Sequence, residues 1–277
     1  MDLKKLLVRA SSGLIYVGII IGCIFWGLIP VACMASVFAI LACIEFARIT
    51  HELDSRNLPH LILDIAGCVC LCFGAWIYPL LAWIAILMFR MIEQLYNTGS
   101  NPLADIAHSM MTQLYIGLPM GLMVATGDLY STTHVLLAIF FFIWINDTGA
   151  FLVGSMLGRH RLFERISPKK SWEGFFGGLL FNIVASILFC VLCSGFFGLP
   201  SSLALWIGLG VIVTVLATWG DLVESMIKRS LGIKDSGNLI PGHGGILDRI
   251  DSTLFVMPAS FIYLIIYRLS SSALFSL

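Results

Sequence analysis

The fold is decided by stretches such as residues 133–154, which read THVLLAIFFFIWINDTGAFLVG. The hydrocarbon core of a bilayer requires roughly 20 mostly apolar residues per helix, and the only Asp, Glu, Lys or Arg in this run is Asp147. Comparable segments, some of them shorter or more polar, lie near residues 11–29, 31–48, 60–77, 78–92, 106–125, 173–197, 202–222 and 251–270. The sequence therefore predicts an all-α, polytopic membrane protein with about nine transmembrane helices.

The composition agrees with a membrane protein and argues against several other classes. Of the 277 residues, 59% are hydrophobic and 12% are charged, and the mean hydropathy is +0.97. The charged fraction is about half that of a soluble domain, which argues against a soluble enzyme, a disordered chain and a disulfide-bonded secreted module. Sixteen Lys and Arg residues balance sixteen Asp and Glu residues, so no excess positive charge remains for binding nucleic acid.

The distribution of Lys and Arg predicts the orientation, because cytoplasmic connections are enriched in these residues. With a cytoplasmic N-terminus, fifteen of the sixteen basic residues lie in or beside the inside segments, and Arg268 is the exception. These segments are 1–10, 49–59, 93–105, 155–172 and 223–250. We expect one integral membrane domain, with N-terminal helices over about 1–130 and a C-terminal half over about 133–277 that contains most of the polar chemistry.

The densest polar stretch, residues 221–251, reads DLVESMIKRSLGIKDSGNLIPGHGGILDRID. Its first part places four polar side chains on one helix face by i, i+3, i+4, i+7 spacing. These residues are Asp221, Glu224, Ser225 and Lys228. Carboxylates followed by a hydroxyl and an ammonium group suit a metal-and-phosphate face. The alternative is a solvated helix end from which the basic side chains extend to the interface.

The glycine-rich loop 241–245, which reads PGHGG, follows in the same stretch. Glycines allow backbone N–H groups to approach a phosphate closely, although an ordinary tight turn would have the same composition. Asp248 is the better candidate ligand for Mg²⁺, because this ion typically needs only one or two protein carboxylates when it also binds substrate phosphates. Asp251 fits a helix N-cap.

Two further clusters lie in and after the sixth predicted helix. Asn146 and Asp147 are deep in an apolar helix, where an ionisable residue indicates a functional site by default, or else an interhelical pair. Residues 167–174 read SPKKSWEG, in which Lys169 and Lys170 are candidates for phosphate contacts. The same residues also fit a helix cap or an anionic-lipid anchor.

Together these three clusters resemble the polar motifs of the phosphatidate cytidylyltransferase (CDP-diacylglycerol synthase) family. The signature of that family is S-x-x-K-R-x4-K-D-x-G-x2-[LIF]-P-x-H-G-G-x2-D-R-x-D, and residues 225–251 match every fixed position without a gap. The resemblance covers the C-terminal half with specific motifs and the N-terminal half only in hydropathy. It implies conversion of CTP and phosphatidate into CDP-diacylglycerol and pyrophosphate, dependence on Mg²⁺, and K⁺ as a candidate second ion.

The resemblance also implies roles for individual residues. Asp221 and Asp248 are expected as primary metal ligands, with Asp147 as a third acidic contributor. The residues expected to act in catalysis are Asp221, Asp248, Lys169, Lys228 and His243. The residues expected to bind substrate are Asn146, Lys170, Ser225, Arg229, Lys234, Asp235, Gly244, Gly245 and Arg249. The lipid phosphate attacks directly, so His243 is expected to contact a phosphate or the metal shell rather than act as a general base.

The expected partners are CTP, phosphatidic acid and the lipid bilayer of a bacterial inner membrane, with the active site facing the cytoplasm. A homodimer is left open. The principal alternative is a CTP-dependent lipid kinase, which would transfer the γ-phosphoryl group and release CDP. A cation-coupled transporter could use Asp147, but it leaves the two basic, glycine-rich connections without a role.

Overall fold

The computed structural model describes residues 3–50, 58–74, 77–97, 101–130, 132–237 and 244–274, and most of these residues are helical. The chain divides into two compact units. Unit 1 consists of residues 1–125 and 235–250, and unit 2 consists of residues 126–234 and 251–277. The predicted division into N-terminal helices and a C-terminal catalytic half stays a prediction.

Unit 1 is built from the first helices of the chain and from the segment that begins the last helix. Its helices are α1 (Leu3–Trp26), α2 (Leu28–Ile49), α3 (Leu58–Cys72), α4 (Ile77–Glu93), α5 (Pro102–Thr112) and the first part of α6 (Leu118–Leu129). Gly27 separates α1 from α2 with φ of 108°, a left-handed conformation that glycine adopts without a steric penalty. One π-helical turn, Gln113–Gly117, joins α5 to α6.

Unit 2 contains the remaining helices and a two-stranded antiparallel hairpin. Its elements are α7 (Val135–Leu157), β1 (Arg161–Phe163), β2 (Ser167–Ser171), α8 (Trp172–Leu188), a π-helical turn (Phe189–Cys193), α9 (Ser194–Phe197) and α10 (Leu203–Ser230). Helix α11 (Leu247–Leu274) begins in unit 1 and continues in unit 2 from Asp251. The hairpin occupies the polar connection between α7 and α8, where the sequence analysis predicts no strands.

Buried polar side chains join α3, α4 and α5 within unit 1. Arg90 is 2% exposed and donates hydrogen bonds from Nε to Ser109 Oγ (2.9 Å) and from Nη1 to Gln94 Oε1 (2.9 Å). Ser109 donates in turn to Asp64 (3.0 Å), and Gln94 donates to Asp105 (2.8 Å). The buried guanidinium group is therefore satisfied by Gln94, which directly follows α4, and by Ser109 on α5, as burial of a charge requires.

Glycines allow α7 and α8 to pack closely. A Cβ atom placed on Gly154 would lie 3.3 Å from Gly174 Cα, and one placed on Gly177 would collide with the side chain of Val153. Gly154 and Gly158, and likewise Gly174 and Gly178, have the small-xxx-small spacing that predicts close helix packing, and the structure brings Gly154 against Gly174.

The fold class predicted from hydropathy is confirmed, because this is an all-α membrane protein that spans the bilayer several times. Within the described ranges, six helices are long and apolar enough to cross a membrane. They are Leu28–Ile49, Tyr78–Tyr96, Val135–Leu157, Trp172–Phe197, Leu203–Ser230 and Leu247–Ser271. Every predicted span overlaps a helix of the structure. The count of nine spans and the cytoplasmic N-terminus stay predictions.

Replacing Gly177 with Ala should destabilise unit 2, because the new Cβ overlaps Val153 and α7 and α8 must separate. Overpacking of this kind typically costs about 1–3 kcal/mol. We expect a lower unfolding temperature for the detergent-solubilised variant. Gly22→Ala in α1 is the matched control, because a Cβ there meets nothing within 4 Å. Equal unfolding temperatures for the two variants would contradict the close packing of α7 and α8.

Candidate functional site

Unit 2 contains a cavity of about 620 Å³ lined by α7, the hairpin, the start of α8 and α10. This volume lies within the usual range for small-molecule binding sites. The charged and amide side chains that line the cavity are Asn146, Asp147, Arg161, Lys169, Lys170 and Asp221. The structure thus brings together residues from all three polar clusters that the sequence analysis singles out.

Helix α7 contributes two polar side chains from the middle of an apolar helix. Asp147 precedes the end of α7 by about ten residues, which corresponds to roughly 15 Å along the helix axis, and it is exposed because it lines the cavity. Asn146 is 2% exposed, and its Oδ1 atom has no hydrogen-bond partner among the described residues. This oxygen packs against Gly178 of α8, where a Cβ atom would collide with it, and a buried acceptor without a donor is costly.

The hairpin brings two lysines to the cavity. The Nζ atom of Lys170 lies 2.7 Å from Asp221 Oδ2 and donates a hydrogen bond to the carbonyl oxygen of Thr218 at 3.2 Å. These contacts attach β2 to α10. Lys169 is exposed and also lines the cavity. The cavity therefore contains one ammonium group with a carboxylate partner and a second that is accessible to a ligand.

Side chains at the start of α8 hold both ends of the hairpin. The Ser171 hydroxyl accepts a hydrogen bond from the backbone N–H of Gly174 at 3.1 Å and caps α8. The Glu173 carboxylate accepts hydrogen bonds from the backbone N–H groups of Arg159 and His160, each at 3.1 Å. The Glu173 carboxylate is also favourable at the N-terminus of α8, because negative charge stabilises a helix at that end. Together these hydrogen bonds fix the position of the lysine-bearing hairpin relative to α8.

Three carboxylates meet where α10 and α11 pack together. Asp221, Glu224 and Asp251 each offer an oxygen, and these oxygens lie within 4.8 Å of one another. The packing of the two helices is fixed locally by the Ser252 hydroxyl, which donates to the carbonyl oxygen of Ala217 at 3.2 Å. Carboxylate oxygens are the ligands preferred by hard divalent cations, so this cluster could hold a metal ion.

The charges around the cluster support a cation site. Lys170 pairs with Asp221, and Lys228 pairs with Glu224 at 2.6 Å, while Asp251 forms no ion pair with a described residue. Three carboxylates and two ammonium groups leave one formal negative charge. Glu224 and Lys228 are 3% and 9% exposed, so water screens this charge only weakly.

The other predicted site residues of unit 2 are not among the described residues that line the cavity. The Ser225 hydroxyl donates to Asp221 Oδ1 at 3.2 Å, which supports the orientation of that carboxylate. Arg229 is exposed and donates from Nη1 to the carbonyl oxygen of Ile233 at 3.0 Å. Lys234 is exposed. The structure therefore places Lys228 in a buried ion pair and Arg229 at a helix end, and their predicted contacts with substrate stay predictions.

The remaining predicted residues belong to unit 1. Asp248 Oδ2 accepts hydrogen bonds from the backbone N–H groups of Ser236 (3.1 Å) and Gly245 (2.9 Å). Gly244 has φ of 83°, and a Cβ there would lie 2.6 Å from the Asp248 carboxylate. Other predicted residues with defined positions in unit 1 are Asp235 and Arg249, both exposed. His243 lies outside the described residues. Metal ligation by Asp248 stays a prediction.

From its sequence context Asp251 fits a helix cap, whereas Glu224 fits either a metal-and-phosphate face or a solvated helix end. The structure places both residues beside Asp221. The i, i+3 spacing of Asp221 and Glu224 is a usable signal, because it places them on one face. Arg161 also lines the cavity, and nothing in its sequence context distinguishes it from the other basic residues of the connection.

Comparison with known proteins agrees with this geometry. A model of the cytidylyltransferase family matches residues 7–267. The chain belongs to the cytidylyltransferase family. The resemblance inferred from the three polar clusters is thereby confirmed.

Curated relatives of this cytidylyltransferase-family member carry the name phosphatidate cytidylyltransferase. The chain is 41% identical to the protein of Staphylococcus aureus over 163 residues, which is 58% of this chain and 60% of the relative. It is 35% identical to the protein of Staphylococcus saprophyticus over 196 residues, which is 69% of this chain and 72% of the relative. The match to the Staphylococcus aureus relative thus spans about 60% of that protein's length.

Replacing Asp251 with Asn should weaken binding of a divalent cation, because one of three clustered oxygen ligands loses its charge. Substitution of residues around a metal site commonly lowers the affinity for the metal about tenfold or more. We expect at least this loss in a Mn²⁺ titration followed by electron paramagnetic resonance, which needs no catalytic turnover. Glu164→Gln is the control, because Glu164 is an exposed hairpin carboxylate. Equal Mn²⁺ affinity in both variants would contradict the site.

Proposed function

We propose that this protein is a phosphatidate cytidylyltransferase, which converts CTP and phosphatidate into CDP-diacylglycerol and pyrophosphate. The observation that carries the proposal is the cavity in unit 2, where Asp147, Asp221, Lys169, Lys170 and Arg161 face one space within a membrane-spanning helix unit. Family membership and the names of the relatives support the same activity.

The charges in the cavity suit the reaction. An oxygen of the phosphatidate phosphate attacks the α-phosphorus of CTP, and the bond from that phosphorus to the oxygen that bridges the α- and β-phosphates breaks. The bridging oxygen leaves with the pyrophosphate. Two anions must approach each other, so cationic groups in fixed positions are needed to offset the charge. Lys169, Lys170 and Arg161 line the cavity and are the proposed phosphate contacts.

The attacking group belongs to the substrate, so the protein needs no nucleophile of its own. Its contribution is to hold the two phosphates in line and to exclude competing orientations. Asn146 is suited to this role, because its buried Oδ1 lacks a hydrogen-bond partner among the described residues and the residue lines the cavity. We propose that it accepts a hydrogen bond from the nucleotide.

The carboxylate cluster is the proposed site for Mg²⁺. Asp221 lines the cavity and also belongs to the cluster with Glu224 and Asp251, so these three residues would hold the ion next to the substrate. A Mg²⁺ ion held there would offset the charge of the substrate phosphates. Asp147 and Asp248 stay proposed as further acidic contributors, and K⁺ stays proposed as a second ion on the strength of the family resemblance.

The cavity also has an apolar side through which a lipid could enter. Phe151 on α7 lines the cavity and is 73% exposed, so its ring forms part of the outer surface beside the opening. An acyl chain could lie against this surface while the phosphate reaches Lys169. We propose that this lateral route serves phosphatidate, that the cavity faces the cytoplasm, and that the protein resides in a bacterial inner membrane.

The proposed reaction predicts equimolar pyrophosphate and CDP-diacylglycerol from purified protein supplied with CTP, phosphatidate and Mg²⁺. Chelation of divalent cations should abolish both products. Asp221→Asn should lower kcat by about a hundredfold or more, because the proposed Mg²⁺ site loses one of its charged ligands. Glu164→Gln should retain activity and serves as the matched carboxylate control. Both products can be followed in one reaction by coupled pyrophosphate detection and lipid chromatography.

Two results would contradict the proposal. Release of CDP without pyrophosphate would indicate γ-phosphoryl transfer and therefore a lipid kinase. Absence of CTP turnover with any lipid phosphate, in a sample that binds Mn²⁺ and unfolds cooperatively, would contradict the enzyme and favour the cation-coupled transporter.

A further inference from the structure

A buried carboxylate in unit 1 contacts the segment that leads into α11. Glu45 lies near the end of α2 and is 5% exposed. Its Oε2 atom accepts a hydrogen bond from the backbone N–H of Leu247 at 2.8 Å. Leu247 is the first residue of α11, so Glu45 supplies, from a distant helix, the acceptor that a helix start requires. Negative charge at this position also interacts favourably with the helix dipole.

Two glycines of the signature segment lie directly against Glu45. A Cβ atom on Gly237 or on Gly245 would collide with Glu45 Oε1. Neither glycine has a positive φ, in contrast to Gly244. The close approach of Glu45, joined at Gly245 by the Ser236 hydroxyl, therefore leaves no room for a side chain at these two positions, and neither has an unusual backbone conformation.

A second carboxylate acts on the same segment. Asp248 Oδ2 accepts hydrogen bonds from the backbone N–H groups of Ser236 and Gly245. Glu45 and Asp248 thus hold the chain on both sides of residues 238–243, which lie outside the described part. Within the described residues, Glu45 forms no ion pair, and its hydrogen bond to the start of α11 is a main-chain contact.

We infer that Glu45 is a positioning residue for the cytidylyl transfer proposed above, on which the inference rests. Glu45 fixes the start of α11, and Asp251 of the carboxylate cluster follows Leu247 by four residues in that helix. Gly237, Gly245 and Asp248 belong to the signature that matches the family. Loss of the Glu45 carboxylate therefore alters the placement of signature residues without removing any group that contacts substrate.

Glu45→Ala should lower kcat/KM for CTP, by up to about a hundredfold, because small displacements of reacting groups can cost this much. Glu45→Gln retains a carbonyl oxygen that can accept from Leu247, so a partial recovery is expected. Asp105→Asn is the matched control, because Asp105 is a buried carboxylate of the same unit whose partner is Gln94. We expect its kcat/KM for CTP to equal that of the wild type.

A double-mutant cycle separates positioning from general destabilisation. Gly237→Ala alone should impair CTP turnover, because its Cβ collides with Glu45. In the Glu45→Ala background the colliding atoms are absent, so Gly237→Ala should lower kcat/KM for CTP by less than about a further twofold. The difference between the effects of Gly237→Ala in the two backgrounds measures the coupling of the two residues. Additive losses, or a Glu45→Ala variant whose kcat/KM for CTP equals that of the wild type, would overturn the inference.

An inactive wild-type protein would count against the proposed reaction, and the role of Glu45 can then be read without turnover. Amide hydrogen exchange at Leu247 should accelerate in Glu45→Ala by at least about tenfold, because exchange reports local opening of a hydrogen bond. Asp105→Asn should leave this exchange rate unchanged. Equal exchange rates at Leu247 in wild type and Glu45→Ala would show that Glu45 does not hold the start of α11.

Discussion

A charge inside an apolar helix bundle must be paired, hydrogen-bonded or open to a polar space, and the described residues of both units obey this constraint. In unit 1 the buried Arg90 guanidinium is surrounded by acceptors. In unit 2 Lys228 pairs with Glu224, and Lys170 pairs with Asp221 at the cavity wall. One carboxylate of the cluster is left without an ammonium partner in the described part of the chain, and a bound cation would balance its charge. The pairing that makes these charges tolerable in the bundle thus also creates the proposed metal site.

Much of this arrangement could be predicted from the sequence, because the relevant signals are local. Hydropathy locates the helices, since the number of consecutive apolar residues reflects the bilayer thickness. Helical periodicity places Asp221 and Glu224 on one face. Asp147, Lys169 and Lys170 stand out as polar residues in or beside apolar spans, and the structure places all three around one cavity.

Other features depend on tertiary contacts that no local pattern reports. The approach of Asp251 to Asp221 requires a particular axial position of α11 relative to α10. Residue spacing within either helix does not specify that position. The hairpin over Arg161–Ser171 has strands too short, and too polar, for an alternating pattern to be recognised. Glu45 resembles any carboxylate near the end of a span, and its significance becomes visible only when Leu247 is placed beside it.

The contact between Glu45 and Leu247 has a consequence for biogenesis. The two residues are separated by 202 positions in the chain. Ribosomes add about 5–20 residues per second, so the nascent protein carries the Glu45 carboxylate for roughly 10–40 seconds before its partner has been synthesised. During this interval the Glu45 carboxylate lacks the backbone N–H of Leu247, which is its donor in the folded protein. Unit 1 therefore begins at the start of the chain but can be completed only after residues 235–250 have been synthesised.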